Sequence, residues 1–117
     1  MLTSFAIALV ALLHLLFMVL EMFFWTRPLG RRIFGMSREM AAQTATLAAN
    51  QGLYNGFLAA GLVWGLLSGE QTTDISIFFL CCVIVAGVFG AFTVKHIILY
   101  IQALPAAIAL ALVLLSG

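Results

Sequence analysis

Between residues 3 and 25 the chain carries a single charged side chain, Glu21. A helix needs about 20 mostly apolar residues to cross the hydrocarbon core of a bilayer, and this stretch has that length. Inside lipid every backbone amide must find its partner within the segment, so the stretch reads as an α-helix. Three more helices follow, over about residues 38–67 (apolar from Leu47 onward), 75–93 and 97–115. The whole chain is 65% hydrophobic and 8% charged. A soluble domain of this kind carries about 25% charged residues to wet its surface, so here the bilayer has to be the solvent. The expectation is an all-α fold: one integral membrane four-helix bundle with membrane lipid as its partner. A formal net charge of +1 leaves no basic stripe to neutralise several phosphates, which excludes nucleic-acid binding.

The breaks between helices are written in the connecting residues. Thr26-Arg27-Pro28-Leu29-Gly30 ends the first span. Arg31, Arg32, Ile33, Phe34 and Met36 then mix basic and bulky apolar groups, as a segment at the headgroup level does. Ser37 has the chemistry of an N-cap, with Glu39 favourably placed in the first turn after it. The helix it opens is polar at first (Arg38, Glu39, Gln43, Thr44, Thr46) and projects from the membrane before entering it. Ser68 to Asp74 is a loop, Val94-Lys95-His96 a tight hairpin, and Pro105 is expected to kink the last helix by freeing the carbonyl of Ile101. No basic residue precedes the first span, and the span is longer than the apolar core of a signal peptide, so it is expected to be a retained membrane helix.

Orientation follows from the loops. Arg27, Arg31, Arg32 and Arg38 flank the first connection, Glu70 and Asp74 lie in the second with no base, and Lys95 lies in the third. Cytoplasmic loops hold the excess of Lys and Arg. Connections one and three are therefore expected inside and both termini on the extracytoplasmic side, in a bacterial cytoplasmic (inner) membrane. Trp25 and Trp64 then fall at opposite interfaces.

Small residues show where helices approach closely. Gly52, Gly56, Ala60, Gly61 and Gly65 recur on the second helix, and Ala86, Gly87, Gly90 and Ala91 on the third. Such faces serve either the bundle itself or a homo-oligomer; both readings stand. Cys81 and Cys82 are adjacent on one helix, about 100° apart around its axis, and read as small buried hydrophobes rather than a disulfide.

Polar groups within the membrane need a partner or a purpose. His14 and Glu21 are seven residues apart and share one face of the first helix. The second helix offers Asn50, Gln51, Tyr54 and Asn55; the fourth begins with His96 and Tyr100. At about 1.5 Å per residue, Glu21, Asn50 and Tyr100 lie roughly 6–9 Å inside the inner boundary, and His14, Tyr54 and Asn55 roughly 14–16 Å. The outer halves are almost wholly apolar. These eight residues are the candidates for a cytoplasmic-side polar pocket that binds or transforms a small, partly apolar molecule. Two alternatives stand beside it: a proton-coupled transporter using Glu21, and a structural or accessory subunit whose polar groups only tie helices together. No metal site is expected, because no closely spaced ligand pair occurs. His14 and His96 differ in depth by about 13 Å, which argues against a haem between them.

The run Ala48 to Leu62, with Asn50-Gln51-Gly52-Leu53-Tyr54-Asn55 at its centre, is the most specific motif in the chain. With His14, Glu21 and Trp25, and with Gln102-x-x-Pro105-Ala106, it resembles a family of short bacterial membrane proteins known as domain of unknown function 1304. The resemblance covers essentially the whole chain and implies a four-helix membrane protein. It implies no reaction, substrate or ligand. Small multidrug exporters and the membrane-associated eicosanoid and glutathione enzymes share the size and helix number, but their characteristic motifs are missing.

Overall fold

The structure, a computed structural model, describes residues 1–116. Among them every regular element is helical. α1 (Leu2–Phe23) is followed by the short α2 (Pro28–Phe34), the long α3 (Arg38–Leu66), α4 (Thr72–Thr93) and α5 (Leu104–Ser116). A 3-10 turn (Gly69–Gln71) leads into α4 and a π-turn (Leu99–Ala103) leads into α5.

The boundaries differ from the expected ones in three places. α1 ends at Phe23, two residues short of Trp25, because the Arg27 amide turns back onto the carbonyl of Phe24 ahead of Pro28. α4 begins at Thr72 rather than 75: Gly69 takes a left-handed φ of 60°, and the turn it makes runs straight into the helix. The stretch 97–115 is not one regular helix. Pro105 has no N–H to give to Ile101, and the chain answers with a widened turn in which the Leu104 amide reaches back to Leu99. The expected N-cap is present, with Ser37 Oγ accepting the Met40 amide at 3.1 Å. Gly35, at a left-handed φ of 64°, closes α2 as its C-cap.

α1, α4 and the stretch Leu99–Ser116 are each long and apolar enough to cross a membrane. They mark a membrane protein. α3 is the longest helix, at 29 residues, yet Asn50, Gln51 and Asn55 at its middle keep it out of that set.

The chain divides into two compact units, and α1 and α3 contribute to both. The first takes in residues 1–12 and 58 onward. Its core combines Ile7, Val10 and Ala11 of α1, Leu62 of α3, Leu80 and Val83 of α4, and Ala106, Ala109 and Val113 of α5. Each set recurs at three- and four-residue spacing, one face per helix. Many bulky side chains point the other way: Phe5, Leu9, Phe78, Phe89, Phe92, Ile108 and Leu115 are all exposed. Alanines between the helices and aromatic rings outside them fit helices whose surrounding solvent is as apolar as they are. Cys81, expected to be buried, is exposed on α4, and both cysteines are free thiols.

In this unit the glycines of α3 and α4 meet the chain's own helices. A Cβ at Gly61 would lie 2.3 Å from the Phe79 ring, and one at Gly65 would lie 3.0 Å from Ser76 Oγ. A Cβ at Gly87 would lie 2.8 Å from the Ala103 nitrogen in the π-turn. The second unit, residues 13–57, follows the same rule. A Cβ at Gly52 would meet Met22 at 2.7 Å and Glu21 at 3.1 Å, so α3 passes close to the backbone of α1.

Candidate functional site

The second unit places the most informative polar group. Glu21 lies on the last turns of α1, half-buried, and Gly52 lets α3 come within reach of it. One helical turn along α3, Asn55 is 5% exposed, and its Nδ2 donates to Glu21 Oε1 at 2.5 Å. The two residues are 34 apart in sequence, and the helix approach joins them. The pair is a carboxyl group held by an amide, with no cation in the bond. An amide donor stabilises a carboxyl oxygen in either protonation state and leaves the second carboxyl oxygen for another partner.

His14 sits two turns before Glu21 on the same face of α1 and is fully buried, its ring 5.3 Å from that of Phe17 in an edge-on arrangement. Asn50, Gln51 and Tyr54 are exposed on α3, and Tyr54 packs only loosely on Phe57 with ring centroids 6.1 Å apart. His96 and Tyr100 are exposed residues of the first unit. Of the eight expected site residues, a hydrogen bond joins Glu21 to Asn55. Among the described residues no three His, Cys, Asp or Glu side chains converge as a metal site.

The connection beside this pair is fixed by its own contacts. Trp25 Nε1 donates to Thr44 Oγ1 at 2.9 Å, and Thr44 Oγ1 donates to the Met40 carbonyl at 2.7 Å. The Trp25 and Phe34 rings lie 4.7 Å apart. These tie the end of α1 and the end of α2 to the first turns of α3.

Replacing Asn55 by Ala is expected to destabilise the protein by about 1–2 kcal/mol, the range for an interhelical hydrogen bond plus a polar group left half-buried. In a Glu21→Ala background, which has no acceptor for Asn55, the loss should shrink to less than half, because the two changes remove one interaction. Reversible unfolding in mixed micelles of the four proteins measures that coupling.

A family model described as "Protein of unknown function (DUF1304)" matches residues 8–114. The chain belongs to the DUF1304 family. The match takes in every candidate residue from His14 to Tyr100, and it bears out the resemblance read from the Asn50 to Asn55 run. The uncharacterized protein YpaA of Lactococcus lactis is 30% identical over 96 residues, which make up 80% of this chain and 81% of the relative. No solved structure matches the chain at a significant level.

Two features of this DUF1304 chain were not legible in its sequence, and both belong to the first unit. Thr3, Ser4, Thr72, Thr73, Ser76 and Ser116 gather hydroxyls around a crevice of about 80 Å³. They come from three separate helix ends, and each alone reads only as a polar residue near a boundary. Trp64, Asp74, Ile75, Phe78 and Phe79 line an open groove of about 250 Å³. The spacing of Asp74, Ile75 and Phe78 on α4 could have drawn attention to that face; the addition of Trp64 from α3 could not.

Proposed function

We propose that this DUF1304 protein is a four-helix bundle of the bacterial cytoplasmic membrane whose Glu21–Asn55 pair is the centre of a binding site for a small, partly apolar molecule. Thr3 Oγ1 and Ser116 Oγ are 3.0 Å apart, so α1 starts where α5 ends. The hydroxyl crevice joins Thr3 and Ser4 to Thr72 and Thr73, so α4 starts at that end too. A chain that leaves this end along α1 and re-enters it at Thr72 must be carried back by α3. That supports four crossings, with both termini on one side. The arginines at 27, 31, 32 and 38 assign the opposite side to the cytoplasm.

On that topology Glu21 and Asn55 lie in the cytoplasmic half of the membrane. The observation that carries the functional reading is their bond: a carboxyl group kept within an apolar span and held by a neutral amide. A purely structural polar contact in lipid is served by two amides or hydroxyls; a carboxyl group is costlier and is retained where a ligand uses it. His14 is the buried polar group beneath it, and Asn50, Gln51 and Tyr54 form its approach on α3. Binding is a more economical reading than catalysis, because the partner bonded to Glu21 is an amide, which neither gives up nor takes a proton at neutral pH.

Native mass spectrometry of the protein released from its own membranes tests this. The expected result is a small-molecule adduct on the wild type that is lost from Glu21→Gln and from Asn55→Ala, while both variants keep their helical content. Absence of any adduct on the wild type, or equal retention by Glu21→Gln, would leave the pair as helix-packing chemistry alone.

A further inference from the structure

α2 is a short helix fastened to the end of a span, and its outward side chains fall on two edges. Gly30 is buried against the Phe24 carbonyl and Phe34 packs on Trp25, so the helix is fixed by its contacts. Leu29 is 51% and Ile33 52% exposed. They are four residues apart and share one edge of α2. Arg31 stands about 160° round the axis from both. Beside a membrane span, an apolar edge turned away from the protein belongs among acyl chains. A basic edge opposite it then lies at the depth of the phosphates.

The charged side chains of this unit are Arg27, Arg31, Arg32 and Arg38 against Glu21 and Glu39, an excess of positive charge. Glu21 lies within the span and accepts from Asn55, and Glu39 belongs to the first turn of α3 beside Arg38. Arg31 is the arginine that packing places: it is half-buried, while Arg27, Arg32 and Arg38 are exposed. Its Nε is enclosed and has no hydrogen-bond partner among the described residues. A guanidinium carries five N–H donors in a fixed fork, and an unmet donor on a cation partly withdrawn from water is costly. Arg27 stands one turn earlier, its carbonyl accepting the Arg31 amide at 3.0 Å.

We infer that Arg31, assisted by Arg27, binds the phosphate of an anionic phospholipid in the cytoplasmic leaflet, whose acyl chains run past the edge formed by Leu29 and Ile33. Phosphate oxygens match the guanidinium fork two at a time. A zwitterionic lipid brings its own cation to a surface already in positive excess, so the anionic lipid is preferred. The general attraction of a basic loop to a negative leaflet acts on all four arginines alike, and on lysine as well as arginine. A fitted site depends on Arg31 and on its fork. The inference rests on α1 as a span and on the cytoplasmic side proposed for the arginines; it does not require a ligand at Glu21.

Native mass spectrometry of the protein in mixed micelles, with phosphatidylglycerol and phosphatidylcholine added in equal amounts, tests this. The wild type is expected to retain the anionic lipid at least fivefold over the zwitterionic one. Arg31→Gln and Arg31→Lys should both bring that ratio to within twofold of unity, and Arg38→Gln should leave it within twofold of the wild type. Arg27 is exposed, so Arg27→Gln does not put folding at risk. It should lower the ratio at least twofold, and it carries the test if the Arg31 variants are not recovered. Equal retention of the two lipids by the wild type overturns the inference, as does a ratio that survives Arg31→Gln or Arg27→Gln. Equal losses in Arg31→Gln and Arg38→Gln, with recovery in Arg31→Lys, also overturn it and leave a general basic field.

Discussion

Gly87→Leu is expected to leave almost no folded protein in the membrane. A Cβ at position 87 would lie 2.8 Å from the Ala103 nitrogen, 2.9 Å from its Cβ and 3.0 Å from its Cα. Two of those atoms are backbone, and they belong to the π-turn that Pro105 imposes on the chain, so neither side can give by a rotamer change. Gly87→Ala should already lower stability by about 2 kcal/mol, the usual cost of overpacking a fitted interior. The leucine side chain would have to separate α4 from α5 altogether. The control is Gly90→Ala, three residues along the same face. Its Cβ would meet the Ile98 side chain at 3.2 Å, which can move, and the better helix propensity of alanine offsets the adjustment. Yield of monodisperse protein by size exclusion, with unfolding midpoints for the two alanine variants, checks both.

Gly30→Ala is the second large effect, and a local one. The added Cβ would stand 1.9 Å from the Phe24 carbonyl oxygen and 2.7 Å from its carbon. No arrangement of side chains relieves a clash with backbone, so α2 must leave its place against the end of α1. The cost is expected to be about 3 kcal/mol or more. It should appear as lost hydrogen-exchange protection across residues 24–35 and a red shift of Trp25 emission, with α4 still protected. Gly35→Ala gives the contrast: its Cβ meets nothing within 4 Å, and the left-handed φ of 64° alone costs about 1 kcal/mol.

These two glycines mark where the sequence could be read and where it could not. Their helical neighbourhoods were legible, because apolar length, Pro28 and Ser37 report directly on helix starts and stops. Which glycine touches which helix was not, since a small residue leaves space without naming what fills it. Gly52 and Gly87 read alike in the sequence; one admits α1 and the other the π-turn. Pro105 announced a disturbance in the last span, but a kink and a widened turn both solve the missing N–H, and only the packing of Ala103 on Gly87 selects the second. At the site, Glu21, His14 and Asn55 stood out because polar residues in apolar runs are rare. The pairing of Glu21 with Asn55 depends on helix register between two separate stretches, which periodicity within either stretch does not contain. The hydroxyl crevice and the aromatic groove were hidden for the same reason: each is assembled from helix ends that are distant in the chain.

The functional reading rests on α3 crossing the membrane, because that crossing sets which half of the bilayer holds Glu21 and Asn55. The direct measurement is thiol labelling of intact cells with a membrane-impermeant maleimide, in a protein whose Cys81 and Cys82 are replaced by Ser. Thr3→Cys and Ser116→Cys should both be labelled from outside, and Arg38→Cys only after the cells are opened. Labelling of one terminus without the other would mean an odd number of crossings, and α3 would then not be a span.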